Sequence, residues 1–532
     1  MRMTIASRRS DLARIQAYQV GDAVRAAHPQ IEINYSFHES LGDKNLNDPL
    51  WKMPEKGVFT QDFRAGLLRG DFDLVVHSWK DLAIEDDPET EIVATLPRAD
   101  QRDLLLVRTD RWAEIERTRA LSILTSSPRR AHNLNSFLRW ALPAKIDNLK
   151  FENVRGNVPT RVRKLLQGDG DGLIVAKAAI DRLLAARGIS PTEGSDEFAE
   201  TQKELREALS QCRWMVLPLR ESPSAPAQGA LAVEISRARH DIRALLTPLS
   251  CAVTFRAVES EREILRIYGG GCHQKIGASV LHRSYGEVTL LRGLADDGQV
   301  LDVLTLRPSR PRPQRVSADE MWPLDSSDAD WFTREPIDVT ASSAALWIAK
   351  ADALPANWSI APDQLVWVSG VRTWRKLARR GVWVNGCAEG LGEHESPRIE
   401  TLAGGTVSWL KLTHESGYTE GEMQTLATYR LIPKAASVDL SGKKYFFWKS
   451  GSAFEYALAQ NAWLKEMTHF CGPGNTQKIL QKHSLEPHIF LDHRQWLEQM
   501  ALSEPRAIAS GSFSLARFEP LAIGRGSGEE IK

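Results

Sequence analysis

The fold can be worked out from the stretch Leu74-Val75-Val76-His77-Ser78-Trp79-Lys80-Asp81. Its three leading apolar residues predict a short buried strand, and the chain turns polar where that strand ends. In open α/β sheets, ligands bind at the carboxyl ends of the strands. The stretch therefore predicts a sheet strand that delivers Lys80 and Asp81 to a binding site.

Helices and strands alternate on both sides of this stretch. A helix is predicted to begin at Ser10 or Asp11. Polar residues 188–206 are expected to form a surface excursion, and residues 222–230 a crossover or hinge. Strands are predicted at residues 3–6, 31–37, 74–76, 121–124, 151–154 and 173–175. The alternation predicts the α/β class with a mixed sheet.

The composition bounds the class of protein. The chain has 532 residues, of which 68 are Lys or Arg and 68 are Asp or Glu, so its formal net charge is zero. That balance argues against a general nucleic-acid or membrane-surface partner. Five widely spaced cysteines argue against a disulfide framework and a structural metal site. With no apolar signal core and no apolar run of about eighteen residues, we expect a cytoplasmic protein without a membrane span.

Basic residues gather at predicted loops, strand ends and helix starts in the first half. Ser127 and Pro128 predict a helix N-terminus, whose free backbone N–H groups favour an anion. Guanidinium groups bind carboxylates through paired hydrogen bonds, so the expected ligand is a small molecule with several carboxylates. The basic residues concerned are Arg8, Lys56, Lys80, Arg129, Arg130, Arg155 and Arg161.

Two further residues could carry chemistry. Asp81 is the one acid among the basic groups, and an ionised carboxylate there could steady a developing cation or move protons. An ion pair between Asp81 and a neighbouring arginine fits the pattern equally well. Cys272 follows three glycines between a predicted helix and a predicted strand, a place for a reactive or modified thiol. A lone cysteine in such a turn could also be a small residue that fills space.

Six motifs in the first half resemble those of the hydroxymethylbilane synthase family, also called porphobilinogen deaminases. They appear in the family's order over about residues 3–310. The motifs are Ile5-Ala6-Ser7-Arg8-Arg9-Ser10, His77-Ser78-Trp79-Lys80-Asp81, Thr125-Ser126-Ser127-Pro128-Arg129-Arg130, Arg155-Gly156-Asn157-Val158 with Arg161, Gln228-Gly229-Ala230 and Gly270-Gly271-Cys272.

The resemblance implies a three-domain fold. The first two domains would be like those of type II periplasmic binding proteins, joined by hinge strands, and the third a small α/β domain. Residues 1–100 with about 220–242 would form the first domain, 101–219 the second, and 243–315 the third.

The resemblance also implies a reaction. Four porphobilinogens would be joined head to tail with loss of ammonia, giving hydroxymethylbilane in haem biosynthesis. Cys272 would hold a dipyrromethane cofactor through a thioether bond, and Asp81 would stabilise the azafulvene cation. Cofactor and substrate carboxylates would be held by Arg8, Ser10, Lys80, Ser127, Arg129, Arg130, Arg155 and Arg161, with Lys56 and Phe59 in a lid loop. We expect a monomer without a metal. The alternative class is a polycarboxylate-binding protein without chemistry.

Residues 330–525 resemble uroporphyrinogen-III synthase, the next enzyme of the pathway. Thr428-Tyr429-Arg430 is similar to that family's linker strand, which makes Tyr429 the candidate catalytic residue of this region. Similar turns occur at Val339–Ala344, Lys449–Ser452 and Cys471–Thr476. The family's first strand is shortened or lost. The resemblance implies a bifunctional enzyme that cyclises its own product, and a non-catalytic remnant is the alternative.

Overall fold

The structure, a computed structural model, describes residues 1–39, 61–186, 197–268, 274–325, 331–417, 423–434 and 439–501. Three predicted site residues, Lys56, Phe59 and Cys272, lie outside these ranges. The described residues form five sheets flanked by helices, so the predicted α/β class is confirmed. In this part of the chain, no helix is both long enough and apolar enough to cross a membrane.

The first sheet contains the stretch around Lys80. Its strand order is β2-β1-β3-β10-β4, with β1 parallel to β2 and β3, and β10 antiparallel to both β3 and β4. The strands are β1 Arg2–Arg8, β2 Glu32–His38, β3 Leu74–Ser78, β4 Thr90–Ala94 and β10 Leu231–Ser236. The helices are α1 Asp11–Ala27 and α2 Gln61–Arg69. Helix α1 buries Val20 and Val24 in the core of this unit, since they lie four residues apart on one face.

The second sheet repeats this arrangement. Its order is β7-β6-β8-β5-β9, in which β6 is parallel to β7 and β8, and β5 is antiparallel to both β8 and β9. The strands are β5 Asp103–Arg108, β6 Ala120–Leu124, β7 Asn148–Glu152, β8 Gly172–Ala176 and β9 Cys212–Val216. The helices are α3 Trp112–Thr118, α4 Pro128–Ala141, α5 Val158–Gln167, α6 Lys177–Ala185 and α7 Ala199–Ser210.

Two predictions for this unit need correction. Strand β7 spans Asn148–Glu152, so it begins and ends earlier than the predicted strand 151–154. Helix α7 begins at Ala199, inside the segment 188–206 that was expected to be a surface excursion. The helix was missed because its composition is polar and its buried face consists of two residues, Leu205 and Ala208.

The chain crosses between the two sheets twice. Residues 95–102 lead from β4 to β5, and residues 217–230 lead from β9 back to β10. We call these the crossing segments. Because β10 lies between β3 and β4, the second crossing segment ends beside the strand that carries Lys80.

A third, antiparallel sheet abuts the second crossing segment. Its strands are β11 Gly277–Arg283, β12 Gly286–Leu294 and β13 Val300–Pro308, preceded by helices α8 His240–Leu246 and α9 Ala252–Ile267. A Cβ atom at Gly277 would lie 2.2 Å from the carbonyl oxygen of Pro223, so only glycine allows this approach.

The C-terminal region has two lobes. The six-strand lobe has the order β15-β20-β19-β16-β17-β18, and the four-strand lobe the order β14-β21-β22-β23. The chain starts in the four-strand lobe with β14, a two-residue strand, enters the six-strand lobe, and returns. The strands are β14 Met321–Trp322, β15 Phe332–Pro336, β16 Ala345–Ile348, β17 Val366–Val368, β18 Gly386–Cys387, β19 Trp409–His414, β20 Gln424–Pro433, β21 Tyr445–Trp448, β22 Thr468–Cys471 and β23 His488–Ile489. The helices are α10 Val371–Ala378, α11 Glu400–Ala403, α12 Gly451–Gln460, α13 Asn475–Lys482 and α14 His493–Met500.

The six-strand lobe packs against the second sheet unit without a break in the apolar core. The Trp374 indole N–H donates to the carbonyl of Ala141 at 3.0 Å, and the Trp383 indole N–H donates to the carbonyl of Trp214, also at 3.0 Å. Apolar residues of both parts belong to the same buried clusters. The two halves of the chain therefore share a core rather than meeting through a linker alone.

Candidate functional site

The first group of candidate residues lies at the carboxyl ends of β1 and β3. These strands are parallel neighbours, so Arg8, Ser10 and Lys80 come from the same edge of the sheet. After β3 the chain makes one 3-10 turn, Trp79–Asp81. The Gln16 side-chain amide donates to the Ser78 hydroxyl at 2.9 Å and ties this turn to α1. Asp81 lies on the exposed side of the turn.

The second group lies at two helix starts of the second unit. Ser127 is the N-cap of α4 and Pro128 its first residue, as predicted; the Ser127 hydroxyl accepts from the backbone N–H of Arg130 at 3.4 Å. Asn157 caps α5 in the same way. Arg129 and Arg130 are buried in the first turn of α4, although a helix start favours anions. Their burial requires a nearby negative partner.

That partner is Asp103, a residue that the sequence reasoning missed. One carboxylate oxygen accepts from Arg129 at 2.8 Å and the other accepts from Arg130 at 2.7 Å, and the Asp103 side chain is fully buried. The neighbouring guanidinium groups hold the pKa of Asp103 well below its usual range against the effect of burial. The sequence signal that could have revealed Asp103 is its position, since it is a single acid immediately before the apolar run Leu104–Val107.

Gln228 links this group to Lys80. Its side-chain amide donates to Asp103 at 2.9 Å and to the carbonyl of Gln101 at 2.7 Å, and its oxygen accepts from the Lys80 ammonium at 3.2 Å. Gln228 belongs to the second crossing segment and Gln101 to the first. The two crossing segments therefore fix the distance between Lys80 and the paired arginines.

The site is positively charged beyond what its own carboxylates balance. Burial, together with Arg130 and Arg129, lowers the pKa of Lys80 to about 8, although Asp81 and Asp103 oppose the change. Burial, with Arg130 and Arg155, lowers the pKa of Arg161 to about 10. Charges on both sheet units act on the same two side chains, so the predicted residues are neighbours in the fold. Those brought together are Lys80, Asp81, Arg129, Arg130, Arg155 and Arg161.

The residues present fit a ligand with several carboxylates. Five basic side chains face the two carboxylates of Asp81 and Asp103. The Nε atom of Arg130 is buried and has no hydrogen-bond partner among the residues that the structure describes, so a donor remains available there. A dipyrromethane carries acetate and propionate side chains, which are the acceptors that such a surface needs. No group of three or more His, Cys, Asp or Glu side chains in the described ranges could hold a metal ion.

Tyr429 lies in strand β20 of the six-strand lobe and pairs in register with His414 at the end of strand β19. It is 5% exposed, and its ring centroid is 5.9 Å from that of His414. The His414 ring is 3.3 Å from the hydroxyl of Ser452, so a hydrogen bond joins the two lobes at this point. Burial raises the pKa of Tyr429, and interaction with the Arg334 guanidinium opposes that rise. A buried phenol thus lies beside an imidazole that reaches a hydroxyl of the other lobe.

Two of the predicted turns, Lys449–Ser452 and Cys471–Thr476, lie where the two lobes touch, whereas the third, Val339–Ala344, leads into the start of β16. Ser450 is the N-cap of α12, and its hydroxyl accepts from the backbone N–H of Ala453. Gly474 precedes α13 with a φ of +103°. A Cβ atom at Gly474 would lie 2.9 Å from the Cα atom of Gly392, so the two lobes touch there.

Comparison with known proteins identifies the first half. Residues 3–244 match the family model described as "Porphobilinogen deaminase, dipyromethane cofactor binding domain". A porphobilinogen deaminase of Thiobacillus denitrificans is 34% identical over 54% of this chain and 83% of its own length. That of Bordetella parapertussis is 32% identical over 63% and 96%. That of Acidothermus cellulolyticus is 37% identical over 52% and 74%.

Proposed function

The chain belongs to the porphobilinogen deaminase family, and we propose that it is a working hydroxymethylbilane synthase of tetrapyrrole biosynthesis. It would join four porphobilinogens head to tail. At each addition the aminomethyl C–N bond breaks, ammonia leaves, a C–C bond forms to the growing chain and a ring proton is lost. Water completes the terminal hydroxymethyl group on release. The observation that carries this proposal is the group of five basic side chains around Asp81, two of which are fixed by Asp103.

The basic residues would bind and orient the carboxylates. Arg129 and Arg130 are fixed by Asp103, so their guanidinium groups are preorganised rather than ordered at the moment of binding. Lys80 is fixed by Gln228 from the opposite sheet unit. A ligand held between them would span both units, and Arg155 and Arg161 would take the carboxylates of added rings.

Asp81 would act on the reacting unit. It is a carboxylate on an exposed turn, so it can approach a pyrrole nitrogen and stabilise the cation that forms as ammonia leaves. A dipyrromethane attached through Cys272 would supply the ring carbon at which the first unit is added. Cys272, Lys56 and Phe59 lie outside the described residues, so their roles as anchor and lid are carried over from the family resemblance.

The test of this role is Asp81→Asn in the full-length protein. The amide keeps the size of the side chain but loses the charge, and we expect ammonia release to fall on the order of a hundredfold or more. Asp86→Asn is the matched control, because Asp86 is an exposed aspartate a short distance along the same connection. A loss of only a few-fold in Asp81→Asn, with unchanged thermal stability, would support a protein that binds polycarboxylates without this chemistry.

We propose that the C-terminal region cyclises hydroxymethylbilane to uroporphyrinogen III. The support is a two-lobed region in which the Tyr429 ring lies beside His414, and His414 reaches Ser452 of the other lobe. Its position on the same chain as the deaminase gives a rationale, because hydroxymethylbilane closes unaided to the type I isomer. A cyclising cleft on the same chain meets the released hydroxymethylbilane at a raised effective concentration.

Product isomers test this second activity. Full-length protein is given porphobilinogen, the products are oxidised, and the type I and type III isomers are separated by chromatography. We expect type III from the wild type, and a shift toward type I in Tyr429→Phe but not in the control Tyr445→Phe, since Tyr445 lies on β21. Only type I from the wild type would mean that the region is a non-catalytic remnant.

A further inference from the structure

Residues 385–402 of the six-strand lobe run along the boundary between the two halves of the chain. We call this segment the strap. It includes the short strand β18 and the start of helix α11. Nothing in its sequence resembles a catalytic motif, yet its polar groups reach four different parts of the fold.

The first contact is with the second crossing segment. The Glu389 carboxylate accepts from the backbone N–H of Leu219 at 2.7 Å and from that of Arg220 at 3.1 Å. Just before it, the carbonyl of Asn385 accepts from the backbone N–H of Val216 at 2.7 Å. Each oxygen of one carboxylate thus holds one of two successive peptide groups, and this fixes the local path of the crossing segment.

The second contact is with the first crossing segment and the unit behind it. The Arg102 guanidinium donates to the carbonyl of Pro397 at 2.7 Å, and that of Arg206 donates to the carbonyl of Thr401 at 2.6 Å. Arg102 also binds Asp100 of the same crossing segment. The strap therefore holds both crossing segments.

The remaining contacts are with the third sheet and with the cleft. Arg283 of β11 pairs with Glu395 at 2.8 Å. Lys411 of β19 pairs with Glu393 at 2.6 Å. Between them, Gly392 touches Gly474 of the four-strand lobe, where a Cβ atom at Gly474 would lie 2.9 Å from the Cα atom of Gly392. The cleft and the crossing segments are therefore joined through residues 389–395.

We infer that the strap couples the spacing of the two C-terminal lobes to the relative position of the two deaminase sheet units. Rotation of those units must change the backbone path of the crossing segments, since these are the connections between them. A carboxylate that holds two successive N–H groups opposes that change. A shift of the four-strand lobe would reach Glu389 through Gly392, three residues away.

Hydrogen exchange at single amides of full-length protein tests the first link. Glu389→Ala removes the acceptor of the Leu219 and Arg220 amides, and we expect these two amides to exchange about tenfold faster or more. Glu415→Ala is the control, because Glu415 is an exposed acid of the same lobe that pairs with Arg430. Thermal unfolding checks that both variants fold. Unchanged exchange at Leu219 and Arg220 in Glu389→Ala overturns the inference.

A second pair of variants tests the link to the cleft. Gly474→Ala forces the lobes apart at Gly392, whereas Gly442→Ala adds a methyl group where nothing lies within 4 Å. Both glycines have positive φ, +103° and +74°, so alanine strains the backbone in both variants, but the added methyl group meets the other lobe only at Gly474. We expect faster exchange at Leu219 and Arg220 in Gly474→Ala alone. Equal exchange in the two variants overturns the coupling. Neither measurement needs substrate, so both are independent of the proposed reactions.

Discussion

The deaminase site and the C-terminal cleft both lie near the ends of sheet strands. They differ in how far their basic side chains are balanced by carboxylates. At the deaminase site, five basic side chains share two carboxylates, so positive charge is left over for a ligand. In the cleft, Lys411 has its own partner in Glu393, and Tyr429 is almost fully buried. The first site is prepared to bind an anion as it stands. Under the coupling proposed above, the second would depend on how far apart its lobes are.

This difference predicts which kind of substitution should affect each half of the chain. Removing a charge from the deaminase site should change binding and rate directly, because the groups are fixed by Asp103 and Gln228. In the C-terminal region, effects should follow the geometry of the lobes and the strap. The following predictions test this contrast, from the largest expected effect to the smallest.

Asp103→Asn should have the largest effect. It leaves Arg129 and Arg130 buried without a negative partner, and breaking a buried pair costs about 3–5 kcal/mol. In a unit of this size that corresponds to a fall in Tm of about 10 °C, with turnover falling as well. Calorimetry and porphobilinogen consumption measure the two effects.

The control for Asp103 is Asp110→Asn. Asp110 binds Arg108 in the same unit, but its side chain is 64% exposed, so the pair should contribute little. If both variants unfold at the same temperature as the wild type, Asp103 does not organise the arginines.

Lys80 should give the deaminase site a pH dependence. Its pKa of about 8 means that its positive charge is lost as the pH rises through 8, so carboxylate binding should weaken there. We expect kcat/KM for porphobilinogen to fall above about pH 8, since this parameter reports groups of the free enzyme. Lys80→Met should be slower at every pH and should lack that inflection, whereas an unchanged inflection would assign it to another group.

Glu389 should give the strap a smaller pH effect, on stability. Burial raises its pKa from an ordinary 4.5 to about 7, although the N–H groups of Leu219 and Arg220 oppose the rise. A raised carboxyl pKa favours the protonated form in the fold. Its contribution to stability is therefore full below about pH 4.5 and is lost as the pH rises through 7.

Glu389→Gln keeps this position neutral and should escape that loss. We expect the Tm of the variant, relative to the wild type, to increase by a few degrees between pH 5 and pH 7.5. Differential scanning calorimetry over that range measures it. A constant difference between the two proteins would show that Glu389 does not titrate there.

Local rules explain what could be predicted from sequence. Ser127 and Pro128 start α4 as expected, because capping depends on residues next to each other in the chain. The strand before Lys80 was also predicted correctly, because a short apolar run is a local signal for a buried strand. The motif order placed most of the basic residues in one site.

Long-range partners could not be predicted in this way. Asp103 and Arg129 are 26 residues apart, and Glu389 and Leu219 are 170 apart. A single acid does not reveal which buried cation it meets. The shared core of the two halves was missed for the same reason, because an apolar residue does not indicate which neighbour covers it.

Intact mass spectrometry of the purified full-length protein tests the central claim most directly. The deaminase proposal predicts a mass above that of the sequence by one dipyrromethane, and loss of that addition and of activity in Cys272→Ser. Cys251→Ser is the control, since Cys251 is a partly exposed thiol at the start of α9. An unmodified wild type that assembles hydroxymethylbilane at full rate would contradict the account.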